Sequence, residues 1–232
     1  MSIPMRAGVI AIAAVALGIG LSGCGSDTKT EGSATKSAEA TTSETSSEAP
    51  TTSAEASGPA ETIVDYIKEN NITETQVERG DPNAPKIDLP IPQGWEDAGG
   101  KTPDWAYGAI MFTEDPAMAQ DPPTVIAILS KLTGDVDPAK ILEYAPGEIQ
   151  NLPDFQGPTD GTAGTLSGFD SMQIGGTYTR DGVTRMIAQK TVVIPGKDGL
   201  YVLQLNADGT EDQAIPLMDV TKAIDDASKI TA

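Results

Sequence analysis

Histidine is absent from the 232 residues, and cysteine occurs once, as Cys24. Without histidine there is no Ser-His-Asp triad, no Cys-His pair and no imidazole-ligated zinc. A single cysteine makes no internal disulfide and no CxxC redox motif. The fold must then rest on core packing alone. Basic side chains are also scarce: 15 Lys and Arg stand against 34 Asp and Glu, a formal net charge of −19. That field repels phosphate backbones and anionic lipid head groups, so no nucleic-acid partner is expected and no basic face seeks a membrane. Aromatic residues make up only 4% of the chain, and its two tryptophans, Trp95 and Trp105, lie close together.

Long apolar runs are nearly absent as well. The exception, Ala7 to Gly20, is too short to span a bilayer but suits the apolar segment of a signal peptide, with Arg6 as its positive flank. It leads directly into Leu21-Ser22-Gly23-Cys24. This pattern resembles the bacterial lipobox, in which the thiol receives a diacylglyceryl group, the chain is cut before the cysteine and the new amine takes a fatty acyl chain such as palmitate. Residues 1–23 are thus expected to be a lipoprotein signal peptide, with Cys24 lipidated. Each buried methylene contributes about 0.8 kcal/mol, so two or three acyl chains hold the protein at the membrane. The expected location is the outer, periplasmic face of the cell membrane, with shedding or secretion as the other fate. Gly18-Ile19-Gly20-Leu21-Ser22-Gly23 spells GxGxxG, but it opens no βαβ unit and leaves with the signal peptide.

Residues 24–59 follow as a tether rich in Ser, Thr, Ala and Glu, with no large apolar side chain to offset chain entropy. The folded domain is expected over 60–232. Ile63, Tyr66 and Ile67 share one face of a first helix, with Pro59 in its first turn. Proline-bounded Ile87 to Pro92 reads as an edge strand, Trp105 to Phe112 as an alternating strand and Thr124 to Leu132 as an inner strand. Asp137 and Pro138 announce a helix with Ile141, Leu142 and Ala145 on its apolar side. Strands over Ser171–Thr179, Val183–Ile194 and Leu200–Asn206 are joined by turns at Asp181-Gly182 and Lys197-Asp198-Gly199. A last helix after Asp212 buries Leu217, Val220, Ile224 and Ala227. Tight turns imply antiparallel pairing, and the fold class is α+β with helices on a largely antiparallel sheet.

Candidate chemistry is thin. Asp135 and Asp137 form a DxD, which a helix start explains without a metal. Asp208-Gly209, Glu211 and Asp212 lack calcium-loop spacing and read as turn and cap. No metal and no cofactor is expected. No two carboxylates are marked out for glycoside hydrolysis. More informative are Met111, Met172 and Met186 at strand positions, since methionine adapts to irregular ligands. Met172, Ile174 and Tyr178 share one strand face, with Gln173 and Thr177 on the other, and Gln189 and Gln204 interrupt apolar strands. An amphiphile with a greasy tail and a hydroxylated head suits such a mixture. The predicted ligand-binding residues are Trp105, Tyr107, Met111, Met172 and Met186, in a pocket between sheet and covering helix.

Several segments together resemble one family: Asn70-Asn71-Ile72-Thr73, Asp88-Leu89-Pro90 through Gly94-Trp95-Glu96, Leu132-Thr133-Gly134 through Asp137-Pro138-Ala139-Lys140, Ala145-Pro146-Gly147-Glu148, and Gln189-Lys190-Thr191-Val192-Val193 with Leu203-Gln204-Leu205. They look like the mycobacterial LpqN lipoprotein family, over about residues 60–232. That resemblance implies a PsbP-like α/β/α sandwich and a cell-envelope role: binding trehalose-type mycolic glycolipids and associating with MmpL-class transporters. It supplies no residue-by-residue ligand motif. The leading function is therefore a non-catalytic carrier or accessory protein for envelope glycolipids, not an enzyme. A docking module without a pocket, for a transporter or host receptor, is the alternative, and a hydrolase using paired carboxylates comes third.

Overall fold

Thr62 and Asp65 start the first helix by capping each other. The Thr62 hydroxyl accepts from the Asp65 N–H, and the Asp65 carboxylate accepts from the Thr62 N–H. The helix therefore begins at Ile63 and not at Pro59, because the reciprocal cap lies three residues further on. The computed structural model describes residues 59–232; the expected signal peptide (1–23), Cys24 and the tether to residue 58 lie outside the described residues.

The elements run α1 (Ile63–Glu69), β1 (Thr73–Gln76), β2 (Lys86–Asp88), β3 (Trp95–Asp97), β4 (Gly108–Phe112), β5 (Thr124–Thr133), α2 (Pro138–Tyr144), α3 (Gly147–Gln150), β6 (Thr162–Leu166), β7 (Phe169–Arg180), β8 (Val183–Gly196), β9 (Gly199–Thr210), α4 (Ala214–Ala227) and β10 (Lys229–Thr231). Eight strands form one sheet in the order β3-β4-β5-β9-β8-β7-β6, with β1 also on β5. Every pairing is antiparallel. Both β4 and β1 use the same side of β5, β4 along Thr124–Ala127 and β1 along Ser130–Thr133. A separate small sheet pairs β2 with β10.

The long hairpins form where the sequence places them. Asp181 and Gly182 have φ of 54° and 77°, the left-handed pair that a tight two-residue hairpin requires. Asp137 caps α2 by accepting from the Ala139 N–H, with Pro138 in the first turn.

Register then sorts the side chains onto two faces. On one, Val125 and Leu129 of β5, Val192 and Ile194 of β8, and Leu203 and Leu205 of β9 pack against Leu217, Val220 and Ile224 of α4. On the other, Leu132, Val193, Leu200 and Val202 meet Ile63 and Tyr66 of α1 and Ile141 of α2, while Ile174, Tyr178 and Ile187 meet Ile149 of α3. The result is the expected α+β arrangement, a sheet with helices on both faces.

Four details differ from the sequence expectation. Strand β4 begins at Gly108, so Trp105 lies in the preceding loop, 50% exposed. Of the expected strand Ile87 to Pro92 only Ile87 and Asp88 are strand, with Lys86 before them, because Pro90 and Pro92 cannot donate to a ladder. Asp208 and Gly209 lie within β9 and do not form a turn. Ala227 is exposed at the end of α4, where the chain turns away toward β10.

Candidate functional site: a cleft beneath the last helix

Four cross-strand partners form one row on the α4 face: Gly175 of β7, Ala188 of β8, Ala207 of β9 and Val125 of β5. Three of the four have no side chain beyond a methyl group. Helix α4 crosses this face but cannot fill the space above so small a row. Near its start the helix sits directly on β9, because Gly209 has no side chain; a Cβ there would come within 2.7 Å of Gln213 Oε1 and 3.0 Å of Leu217 Cδ1. Further along, the gap opens into a cleft of about 220 Å³.

Buried Val125, Leu205, Ala207 and Ile224 form the cleft's floor and inner wall. Its rim is polar: Thr162 and Gln173 on the β6–β7 side, Thr221 and Asp225 on α4. Lys190 reaches from β8 to Asp225 and pairs with it across the mouth. Two smaller apolar hollows share residues with the cleft. One, about 80 Å³, adds Met186, Leu217 and Met218. The other, about 30 Å³, adds Leu89, Ile91 and Ile110. An apolar trough with a polar mouth is the shape an acyl chain with a hydrated head requires.

The opposite face is filled differently. Arg185, 3% exposed, is held by Asp208 and by Asp121. Asp208 also accepts from the Tyr178 hydroxyl at 2.6 Å and pairs with Arg180 at 3.3 Å. Burial, and then its bond to Asp208, pushes the Tyr178 phenol up to about 12. Nearer the middle of that face, Glu148 of α3 accepts from Gln204 at 2.9 Å and from Gln189 at 3.4 Å. Burial pushes the Glu148 carboxyl above its ordinary range; the two amides pull it down and Glu74 pushes it up. These carboxylates are committed to cations and amides inside the protein, and Asp225 is the carboxylate that lines the cleft. The Gln189 and Gln204 amides therefore serve Glu148, although Gln189 also borders the cleft.

The five predicted ligand-binding residues do not converge. Met186 lies on the α4 face, in the hollow next to the cleft. Met172 lies on the opposite face: it pairs with Thr191, which is an odd number of residues from Met186 along β8. Met111 shares that opposite face at the far end of the sheet, pairing with Thr124. Tyr107 is buried in the α4-side core beneath Arg79, and Trp105 stands in an exposed loop. Alternation fixes faces within one strand, whereas the phase between strands depends on register. Gln173 does line the cleft, on the strand face opposite Met172. The small row Gly175, Ala188 and Ala207 escaped notice because its members come from three separate strands.

A family model described as Lpp-LpqN, probable lipoprotein LpqN, matches residues 59–231. The chain belongs to the LpqN lipoprotein family. Lipoprotein LpqN of Mycobacterium tuberculosis (strain ATCC 25618 / H37Rv) is 49% identical over 241 aligned positions, covering 95% of this chain and 97% of the relative. A solved structure described as the crystal structure of LpqN involved in cell envelope biogenesis of Mycobacterium tuberculosis has 52% identity and a TM-score of 0.70. All of its chain aligns with 75% of this one. More distant is the proline-rich 28 kDa antigen homolog of Mycobacterium leprae (strain TN), 23% identical over 75% of this chain and 61% of that relative. The LpqN family is the one the sequence segments resemble, and lipoprotein is its descriptive name.

Proposed function

We propose that this LpqN-family protein is a non-catalytic carrier or accessory protein for cell-envelope glycolipids, with the acyl tail lying in the cleft between α4 and the sheet. The observation that carries this reading is the row of Gly175, Ala188 and Ala207, which leaves about 220 Å³ open above an apolar floor. Trehalose esters as cargo and an MmpL-class transporter as partner follow from the family resemblance. The relative's description as involved in cell envelope biogenesis agrees with such a role. Cys24 is the proposed anchor, placing the domain on the outer face of the cell membrane. Replacing Cys24→Ala should abolish incorporation of labelled fatty acid, and continued labelling would refute the anchor.

A titration tests the cargo. Residues 59–232 contain all three described hydrophobic clusters and serve as the soluble form. A trehalose monoester with a long acyl chain should bind more tightly than the same ester with a short one, by up to about 0.8 kcal/mol per methylene that enters the cleft. Equal affinity for both, or binding of neither, would defeat the carrier reading. A second reading, docking to a membrane partner, draws on Ile215 and Met218 of α4, which are 74% and 66% exposed. The two are compatible, since Met218 borders a hollow that shares Ala188, Ala207 and Thr221 with the cleft.

A further inference from the structure

Lys190 is the cationic side chain that lines the cleft, and it is neutralised there by Asp225. The Lys190 side chain is 14% exposed and that of Asp225 is 43% exposed, so the ammonium lies inside the mouth and the carboxylate at its edge. A lone ammonium beside an apolar trough would seat the carboxylate, sulfate or phosphate of an anionic amphiphile, because charge-assisted hydrogen bonds are the strong ones. With Asp225 in place, an arriving anion meets a carboxylate that already holds the ammonium, on a chain of net charge −19. Like-charge juxtaposition is a strong means of rejecting a partner.

An uncharged hydroxylated head faces no such repulsion. Lys190 Nζ has three donors, and Asp225 occupies one of them through Oδ1. Among the described residues nothing else hydrogen-bonds to the Asp225 carboxylate. A hydroxyl is donor and acceptor at once, so neighbouring hydroxyls of one head can accept from Lys190 and donate to Asp225. Thr162 and Gln173 across the mouth have the same two-way capacity. The ion pair is thus matched to a polyol in both directions, whereas an anion can only accept from Lys190 and meets the charge of Asp225 beside it.

We propose that the Lys190–Asp225 pair sets the head-group specificity of the cleft, admitting uncharged polyhydroxylated amphiphiles and excluding anionic ones. This rests on the carrier reading, in which the tail supplies affinity while the pair decides which head is accepted.

Two probes with the same length of alkyl tail test it: dodecyl maltoside, which is uncharged, and dodecyl phosphate. Titrated into residues 59–232 below their micellar concentrations, the maltoside should bind at least about tenfold more tightly. Asp225→Asn frees the ammonium. It should raise dodecyl phosphate affinity by about tenfold or more, make that binding sensitive to salt, and change maltoside affinity by less than about fivefold. Adding Lys190→Met to Asp225→Asn should cancel the gain, which a merely loosened helix would not do. Should Asp225→Asn lower the melting temperature, Lys190→Met alone carries the test: maltoside should weaken by about fivefold while dodecyl phosphate stays weak. Equal binding of the two probes by the wild type, or an unchanged ratio in folded Asp225→Asn, or unchanged maltoside affinity in Lys190→Met, overturns the specificity. Binding of neither probe by the wild type overturns the carrier reading and this inference with it.

Discussion

The two faces of the central sheet deal with polar and small residues in opposite ways. On the α1–α3 face, Arg185, Asp208, Tyr178, Gln189, Gln204 and Glu148 find partners inside the protein, although an open, wide hollow beside Tyr144, Gln150 and Met172 lies on the same side. On the α4 face, the polar groups gather at the rim of a gap that a row of small residues leaves open. The first arrangement specifies packing, and the second leaves space for something else. Polarity inside a sheet is therefore a poor guide to a binding site until its partners are known.

The sharpest way to break the contrast is to attack the closed face. Replacing Arg185→Met leaves Asp208 with only Tyr178 and Arg180 as partners and takes the buried cation away from the Asp121 carboxylate. Removing one partner of a buried ion pair costs about 3 kcal/mol or more, so urea denaturation should show a fall of that order. Amphiphile affinity of the remaining folded molecules should hardly change. A loss below about 0.5 kcal/mol would show that the cluster is a surface feature in disguise.

The complementary experiment fills the open face. Leucine introduced by Ala188→Leu projects into the cleft at the centre of the small row. Long-chain ester binding should weaken by at least about tenfold, while stability shifts by no more than about 1 kcal/mol, because the added methylenes enter existing space. Unchanged binding would place the ligand elsewhere. A finer comparison sets Met186→Ala against Met172→Ala. Only the first should alter tail affinity, by about fivefold, since Met186 lines the hollow next to the cleft and Met172 lies behind the sheet. Equal effects would mean that the two faces communicate or that the cleft is misassigned.

Much of the framework was legible in the residues, for reasons that are local. Asp137-Pro138 starts a helix through its own cap, and Asp181-Gly182 turns a hairpin through its own φ angles. Leu217, Val220 and Ile224 show the buried stripe of α4 by spacing alone. Strand β6 was missed because Thr162 to Thr165 are all exposed and carry no alternation, so β7 alone holds them in the sheet. The site was least legible of all. Conspicuous methionines and aromatics drew attention to five residues that register scatters over both faces and a loop. What makes the cleft is the coincidence of Gly175, Ala188 and Ala207, and no single strand shows it.

The smallest effect concerns protonation on the closed face. The Glu148 carboxyl is pushed above its ordinary range, chiefly by burial beneath α3, against the pull of Gln204 and Gln189. A carboxyl that binds its proton more tightly when folded than when unfolded makes stability fall as pH rises from the unfolded value through the folded one. Below that window the contribution is fully present, and above it the penalty is constant. Glu148→Gln removes the titration while keeping an oxygen for the Gln204 amide, and Gln189 keeps its bond to Asn206 at 3.1 Å. Stability measured from the ordinary glutamate range to neutrality should therefore fall less steeply in Glu148→Gln than in the wild type. The variant should be at least as stable at neutral pH. A steeper fall, or a clear loss of stability at neutrality, would show that the two amides outweigh burial and that the carboxylate itself holds α3 to the sheet.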